Sequence, residues 1–446
     1  MRMIEKYRST PYFKSLDASW KEGIAASVML AVSEYYLIPF GLVLGASAVE
    51  IGLLVAIPQL LGSFAQLLAV RIVRWLGSRL LFLVQGIYLQ AAILIPMALA
   101  PFLPDSWRME VFILLATLFR IVGNLIGTVW GSLASDYLPA EERGKYFGWR
   151  ARVTGLSGVI STLAAGILLF AFKEKAQAAA GFTLLFIFIA MARFISGWLM
   201  AKMQDVVFEH DTGTSFTFIR FLVKSRDTNF YKFLLYVSSI TFATQISAPY
   251  FSVYLLRDLN MDYLSFTGIQ LASVLGGLVA FPIWGRHADQ VGNAKMLQLA
   301  SFLIPSIPFL WLISPHPLWL GLVEAFSGFL FAGFGLCAVN FIFDAISQSK
   351  RVQCLSYFAL FCGMAIFAGA SLGGLIADRL PPIGGSGLCT LFVISGILRS
   401  ASHLLLSGKF TEVRTNTQKV SSRTLFFSTI GIKPLFSRTS DTEQEI

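Results

Sequence analysis

Charged residues are scarce in this chain of 446 residues. Asp, Glu, Lys and Arg together make up 13% of the sequence, whereas 56% of the residues are hydrophobic and 40 are Phe. Soluble domains contain about 25% charged residues. A chain with a mean hydropathy of +0.69 has more apolar surface than one water-soluble core can bury. The composition therefore argues against a soluble domain and indicates that lipid surrounds most of the chain.

Reactive and metal-binding side chains are also few. The four histidines are far apart, and the four cysteines lie in or beside apolar runs without a CxxC pair or another metal-ligand spacing. The sequence has no HExxH, Gly-x-Ser-x-Gly or Gly-x-x-x-x-Gly-Lys motif. These absences argue against an enzyme, a bound cofactor and an ATP-driven pump. A membrane-embedded enzyme needs reactive residues clustered at one interface, and the sequence places none there.

Long hydrophobic runs, by contrast, fill the sequence. Twelve of them have about the 20-residue length that an α-helix needs to cross a bilayer. An even number of crossings predicts that both chain ends lie on the same side. No cleavable signal peptide is expected, because the polar start is followed by a run of full spanning length. The runs cover residues 22–44, 49–70, 80–103, 109–133, 150–172, 178–200, 229–256, 263–284, 296–313, 317–346, 355–376 and 387–406.

The positions of Lys and Arg predict the orientation. If the amino terminus is cytoplasmic, 27 of the 35 basic residues lie in or beside cytoplasmic segments and only five lie in segments on the other side. By the positive-inside rule, both termini are predicted to be cytoplasmic in a multi-pass protein of the cell membrane. The net charge of +10 would also suit nucleic acid, but this alternation between loops argues against a nucleic-acid partner.

The sequence repeats itself. Four pairs of residues are separated by the same 208 positions, and a second offset of 215 aligns Arg71 with Arg286 and Gly77 with Gly292. Repetition over this length is typical of a transporter built from two similar six-helix bundles. The four pairs are Asp136 with Asp344, Arg143 with Arg351, Gly155 with Gly363, and Gly166 with Gly374.

A polar stretch in the middle of the chain divides these halves. We predict an amino-terminal bundle over residues 1–203, a cytoplasmic linker over 204–228, a carboxyl-terminal bundle over 229–408 and a cytoplasmic tail over 409–446. Residues 216–230 mix Phe, Ile and Leu with Arg and Lys, which is typical of an amphipathic helix on a membrane surface. The predicted fold is an all-α polytopic membrane protein with 12 transmembrane helices in two pseudo-symmetric six-helix bundles.

Three motifs resemble those of the major facilitator superfamily. Residues 285–295 read Gly-x-x-Ala-Asp-x-x-Gly-Asn-x-Lys, which resembles the short loop between the second and third helices of each half in that family. Residues 136–144 are similar to its Asp-x-x-Pro-x-x-x-Arg-Gly loop, and Arg120 with Gly123 and Gly127 resembles its fourth-helix pattern. In the first-half loop Arg74 stands where the family has Asp, so gating by that copy is expected to be weaker or to pass to the second copy.

The resemblance implies gating contacts at the ends of helices. Gly292 suits a tight turn or a positive φ, and Asp289 is expected to accept hydrogen bonds at, or to cap, a neighbouring helix amino terminus. The fifth helix lacks the Gly-Pro step of drug-antiporter members, which argues against that specificity. The gating residues that we expect are Gly285, Asp289, Gly292, Lys295, Asp136, Arg143, Asp344 and Arg351.

The resemblance also implies that the first, fourth, seventh and tenth helices line a central cavity. Polar residues lie within each of those runs. For Gln245, Tyr250 and Asn340, substrate binding and plain bonding between helices both stay open, and Glu324 is either a pathway residue or a snorkelling surface carboxylate. The candidate pathway residues are Glu34, Arg120, Asn124, Gln245, Tyr250, Glu324 and Asn340.

Glu34 and Arg120 are the most informative of these residues. A charge at mid-bilayer costs about 2.5–3.5 kcal/mol, so the two are expected to face a wet cavity and to lie close enough to interact. We expect Glu34 to carry a proton or another cation. The alternative is a static ion pair that only joins two helices.

The sequence thus predicts a secondary transporter that moves a small solute by alternating access, with proton coupling as the favoured mode. An ion-independent facilitator and a non-transporting receptor or scaffold with the same fold are the alternatives. The expected partners are a small-molecule substrate, membrane lipid and protons. A monomer without a cofactor is expected.

Overall fold

A computed structural model of the chain describes residues 5–8, 10–172, 175–206, 228–347, 351–414 and 428. These residues are almost entirely helical, and their only β-type pairing is an isolated bridge between Ile383 and Ser386. The helices are α1 Phe13–Val43, α2 Ala48–Gln66, α3 Ala69–Leu76, α4 Arg79–Ala98, α5 Arg108–Ser135, α6 Ala140–Ala171, α7 Lys175–Met200, α8 Asn229–Gln245, α9 Ala248–Val253, α10 Tyr263–Val291, α11 Asn293–Leu303, α12 Ser306–Leu310, α13 Pro317–Ala345, α14 Arg351–Ala377 and α15 Gly387–Leu406.

Ten of these helices are long and apolar enough to cross a membrane, counted over the described residues. The other two predicted crossings are interrupted helices. The run over residues 229–256 divides into α8 and α9 just before Pro249, and the run over 296–313 divides into α11 and α12 at Pro305. Proline lacks a backbone N–H and disfavours a helical residue before it, which accounts for both breaks. The predicted all-α fold with twelve transmembrane segments is confirmed, with ten continuous helices and two interrupted ones among the described residues.

The chain forms two compact units. The first contains Met1–Ser215, Thr241–Leu271 and Ser356–Ser395, and the second contains Phe216–Ile240, Ala272–Leu355 and Gly396–Ile446. The division predicted from the sequence, with two contiguous bundles, stays a prediction. The predicted amphipathic linker helix, as far as position 227, lies outside the described residues. The predicted tail after Arg414 also lies outside them, with the exception of Ser428.

In the first unit, α1 packs on α6 and α7, α4 packs on α5 and α7, and α2 packs on α5. Phe40 of α1 stacks on Phe182 of α7 with ring centroids 4.9 Å apart and also contacts Phe112 of α5. Buried aromatic pairs of this kind stabilise a core beyond the area they bury. They hold α1 against α5 and α7 within two turns of Glu34.

In the second unit, glycines let α10 and α13 approach closely. A Cβ atom on Gly276 would collide with the Ala325 carbonyl, and one on Gly328 would collide with the Ser273 carbonyl. Trp284 occupies the space beside Gly333. Small residues at helix interfaces of membrane proteins permit this close approach.

A glycine with a positive φ lies at the turn in both copies of the repeated loop, although the ψ angles differ, at −1° for Gly77 and 155° for Gly292. Gly77 ends α3 with a φ of 71°, and Gly292 precedes α11 with a φ of 95°. Both values lie in the region that glycine adopts without strain. The prediction of a loop over residues 285–295 was wrong in extent, because α10 stays helical to Val291 and the chain turns at Gly292 alone. Residues 285–291 contain no proline, so nothing ends the helix before that glycine.

Candidate functional site

A charged pair lies between α1 and α5 in the first unit. Arg120 Nη1 is 3.4 Å from Glu34 Oε2, and the two side chains are 41% and 65% exposed. Both line a cavity of about 330 Å³, the first cavity, together with Gln245 and Pro249. An ion pair between side chains this exposed contributes little net energy, so their pairing is loose.

Gln59 of α2 holds Arg120 in place. Its Oε1 accepts hydrogen bonds from Arg120 Nε at 3.2 Å and Nη2 at 2.9 Å. Asn124 of α5 lies against α2 at Gly62, where a Cβ atom would lie 2.7 Å from Asn124 Nδ2. Gln59 was not among the predicted pathway residues, because the resemblance placed the pathway on other helices. The sequence feature that could have indicated Gln59 is its amide side chain within an otherwise apolar run.

A second cavity, of about 320 Å³, extends from the same charged pair along α1 toward its amino-terminal end. Its wall includes Glu22, Ala26, Leu30 and Glu34 of α1. Residues three or four apart lie on one face of a helix, so a single stripe of α1 forms this wall. At 1.5 Å per residue, Glu22 and Glu34 are about 18 Å apart along the helix axis.

A buried ionic cluster closes the far end of the second cavity. The Glu22 side chain is 3% exposed and accepts hydrogen bonds from Arg150 Nη2 and Ser196 Oγ, both at 2.9 Å. Arg193 lies 4.0 Å from Glu22 and donates to Gln90 Oε1 at 2.9 and 2.6 Å. None of these residues was among the predicted site residues. The sequence feature that could have indicated this cluster is the presence of a polar residue, Gln90 or Arg193, within an apolar run.

The other predicted pathway residues of the first unit have different surroundings. Gln245 lines the first cavity and Asn124 lines the second. The Tyr250 hydroxyl is buried and donates to Ala370 O at 3.0 Å and Ala48 O at 3.3 Å. Tyr250 therefore joins α9 to α14 and to the start of α2, which matches the interhelical alternative.

Glu324 and Asn340 belong to α13 of the second unit. The Glu324 carboxylate interacts with Ser273, Trp311 and the guanidinium of Arg399, which is 1% exposed. Glu324 is half-buried with polar neighbours on other helices, which favours the pathway alternative over a snorkelling surface carboxylate. Asn340 is half-buried. Arg193 and Arg399 each lie near a carboxylate. Their separation of 206 positions differs from the offsets of the repeat, and Glu22 and Glu324 lie on helices that the repeat does not relate, so the two clusters are not copies of each other.

The predicted gating carboxylates each hold an arginine. In the first unit, Asp136 accepts from Arg79 Nη2 at 2.6 Å. In the second, Asp344 accepts from Arg414 Nε at 2.8 Å, and Arg414 Nη1 lies 3.5 Å from Asp289. The hydrogen bond to Asp344 raises the pKa of Arg414 above its ordinary value. The pairing of a carboxylate with an arginine thus occurs in both halves of the repeat. The arginine of the first pair, Arg79, follows the repeated loop, whereas that of the second, Arg414, belongs to the segment after α15.

The helix after each repeated loop is capped by a distant carboxylate. Leu80 N donates to Asp205 at 3.3 Å, and Ala294 N donates to Glu412 at 2.8 Å. The expectation that Asp289 caps this helix was wrong. Asp289 lies within α10, and the chain after α15 brings Glu412 to the amino terminus of α11, where a carboxylate is stabilised by the helix dipole.

The remaining gating candidates lie at helix ends. Arg143 Nε donates to Leu138 O at 3.0 Å, and Arg351 Nε donates to Ile346 O at 3.2 Å. These two bonds occupy equivalent positions of the repeat. Gly285 lies within α10, and Lys295 lies in the first turn of α11. In the part of the chain that the structure describes, no group of three or more His, Cys, Asp or Glu side chains could hold a metal ion.

We expect Arg414→Gln to loosen the segment after α15. The change removes the contacts of Arg414 with Asp289 and Asp344, which together contribute about 1 kcal/mol because exposed ion pairs are weak. Phe410, now 2% exposed, should then be cleaved several-fold faster by chymotrypsin under limited digestion. Lys409→Gln, an exposed neighbour, is the control. Equal cleavage of the two variants would contradict a restraining role for Arg414.

Comparison with known proteins identifies relatives of this chain. Residues 23–370 match the family model described as Major Facilitator Superfamily. A multi-drug resistance efflux pump PmrA homolog of Lactococcus lactis is 30% identical over 146 residues, which cover 33% of this chain and 34% of that protein. Solute carrier family 22 member 18 of Rattus norvegicus is 34% identical over 128 residues, covering 28% of this chain and 31% of that protein. The chain thus spans about a third of the length of these relatives.

Solved structures share the fold at low sequence identity. A D-xylose-proton symporter superposes with a TM-score of 0.70 at 12% identity, covering 91% of this chain and 99% of that one. The nucleoside transporter NupG superposes with a TM-score of 0.67 at 12% identity, covering 89% of this chain and 98% of that one.

Proposed function

Because the chain belongs to the major facilitator superfamily, we propose that it is a proton-coupled secondary transporter that moves a small solute by alternating access. The solute binds in the first unit, in the cavities that Glu34 and Arg120 line, and Glu34 carries the proton. Energy comes from an ion gradient across the membrane. The protein acts as a monomer in the cell membrane, with both termini cytoplasmic.

The loose pairing of Glu34 with Arg120 is the observation that carries this proposal. The 3.4 Å separation contrasts with 2.6 Å for Arg79 and Asp136, and with 2.9 Å for the buried pair of Glu22 and Arg150. A static clamp between helices requires close, desolvated contact. A carboxylate that is 65% exposed within a cavity can exchange protons with water and separate from its partner.

The position of the pair between two cavities supports alternating access. Ser33, Glu34, Phe119 and Arg120 line both cavities, so a solute or proton at the pair borders each of them. The carboxylates Asp136, Asp289 and Asp344 are the candidate gating contacts because their arginine bonds can break and re-form between states. The D-xylose-proton symporter, by its name, couples a sugar to protons, and the PmrA homolog exports drugs. Both modes are compatible with a titratable carboxylate in the pathway.

Purified protein in liposomes tests the proposal. We expect solute uptake to depend on an imposed pH gradient, and we expect Glu34→Gln to reduce that dependence about tenfold or more, since the amide cannot carry a proton. Glu110→Gln, an exposed carboxyl on α5, is the control and should leave the dependence unchanged.

The outcomes separate the alternatives. An unchanged pH dependence in Glu34→Gln would end the carrier role of this residue. Uptake that never responds to a pH gradient identifies a facilitator. Binding without uptake across a broad solute panel identifies a receptor of the same fold.

A further inference from the structure

The second cavity has more positive than negative side chains. Its ionisable groups are the carboxylates of Glu22 and Glu34 and the guanidinium groups of Arg120, Arg150 and Arg193. Among the residues that the structure describes, no other ionisable side chain lines this cavity. With every group in its ordinary state, the wall carries a net charge of +1. An unpaired cation within an apolar span is costly, so the excess charge calls for an anion beside it.

Arg150 has unused hydrogen-bonding capacity. Its Nε donates to Ser19 O at 3.1 Å and its Nη2 donates to Glu22 at 2.9 Å, whereas no described residue accepts from Nη1. The Trp130 ring lies 4.2 Å from the guanidinium carbon and fixes one face of the group by a cation–π contact. Arg150 is thus held rigidly while one of its nitrogens remains available in the cavity wall.

The other two arginines differ from Arg150. All three side-chain nitrogens of Arg193 donate to Gln90 or Ser196. Arg120 donates to Gln59 and faces Glu34 at 3.4 Å, and its side chain is 41% exposed. The available positive charge therefore lies along the wall between Arg150 and Arg120.

We propose that the second cavity binds the carboxylate group of a small organic acid, so that the solute of this transporter is an organic anion. This inference rests on the transport function proposed above. Arg150 Nη1 donates to the carboxylate, Asn124 supplies a neutral donor in the same wall, and Arg120 supplies the second positive charge. Charge-assisted hydrogen bonds are about twice as strong as neutral ones, which favours the acid over a neutral amide of the same shape.

Glu34 couples this anion to the proton. Protonation of Glu34 leaves Arg120 without a counter-charge and raises the net charge of the wall from +1 to +2. The anion therefore binds more tightly to the protonated protein, and by reciprocity its binding favours protonation of Glu34. Arg120 is the ionisable partner that faces Glu34 in both cavities. Proton and anion then cross together, as in a symporter.

Matched acids and amides test this proposal on the detergent-purified protein. The probes are benzoate with benzamide and hexanoate with hexanamide, used in thermal-shift and binding titrations at about pH 7, where carboxylic acids are ionised. We expect the acids to stabilise the protein more than the amides. Arg150→Gln should weaken acid binding about tenfold, in line with the loss of one hydrogen bond between charged groups.

Two variants serve as controls. Arg152→Gln removes the same charge from α6 at an exposed position outside the cavity and should leave acid binding unchanged. Arg150→Lys keeps the charge and should retain most of the binding. Equal binding of acids and amides by the unaltered protein overturns the proposal without any variant, as does acid binding that survives Arg150→Gln.

The two proposals fail in different ways. Acid binding that persists without proton-driven uptake contradicts the transport function alone. Proton-driven uptake of neutral solutes by a protein that does not bind the acids contradicts the organic-anion assignment alone.

Discussion

Glu22→Leu should destabilise the protein by about 3–5 kcal/mol, because removing one partner of a buried ion pair leaves the other charges uncompensated. Glu22 is 3% exposed, and its removal leaves Arg150 without a carboxylate partner and Arg193 without a nearby counter-charge. Reversible unfolding in mixed micelles, or a thermal scan in detergent, measures the loss. Glu110→Leu, which removes an exposed carboxylate near the start of α5, should cost about 1 kcal/mol or less.

A double-mutant cycle distinguishes charge compensation from simple packing. If Glu22 is needed to neutralise Arg193, then Glu22→Leu combined with Arg193→Leu should be less destabilising than the sum of the two single changes, by about 0.5–3 kcal/mol. Strict additivity would show that the two residues contribute independently.

Gly276→Ala is expected to have the second large effect. A Cβ atom at this position would collide with the Ala325 carbonyl of α13, and backbone atoms cannot move aside as a side chain can. Overpacking costs about 1–3 kcal/mol, and Gly328→Ala on the facing helix should cost as much because its Cβ would meet the Ser273 carbonyl. Thermal unfolding of the purified variants should shift downward by several degrees.

The same two helices contain matched controls. A Cβ atom at Gly268 of α10 or at Gly335 of α13 would have no atom within 4 Å. Alanine favours a helix interior over glycine by about 0.5–1 kcal/mol. Gly268→Ala and Gly335→Ala should therefore leave stability unchanged or raise it. A loss of stability in these controls equal to that in Gly276→Ala would show that close helix approach is not the cause.

Several features of the fold follow from local sequence. Hydrophobic length alone predicts the spanning segments, because each membrane helix satisfies its own backbone hydrogen bonds. The offset of 208 predicts that Arg143 and Arg351 are equivalent, and both donate to the carbonyl five residues earlier. Gly77 and Gly292 are likewise predictable, since few other residues adopt a positive φ without strain.

The side-chain partners of the site, in contrast, depend on packing between distant segments. Gln59 meets Arg120 across 61 residues of sequence, and Glu22 meets Arg150 across 128. No local periodicity encodes which faces of α1, α2 and α6 meet. Arg79 pairs with Asp136 inside the first unit, whereas Arg414 from beyond the last helix pairs with Asp344 in the second. Asp136 and Asp344 are equivalent in the repeat, yet their arginine partners come from different parts of the chain.

The sequence by itself determined that the medium is lipid, that about twelve segments cross it, that the two halves repeat, and that Glu34 and Arg120 lie within spanning segments. Those properties depend on hydropathy and spacing, which each segment carries alone. Only the tertiary structure decided that Gln59 holds Arg120, that Glu22 lies buried between two arginines, and that one cavity wall has an excess positive charge. These properties arise where helices meet, and a charged group in an apolar span takes whichever partner the packing brings within hydrogen-bonding distance.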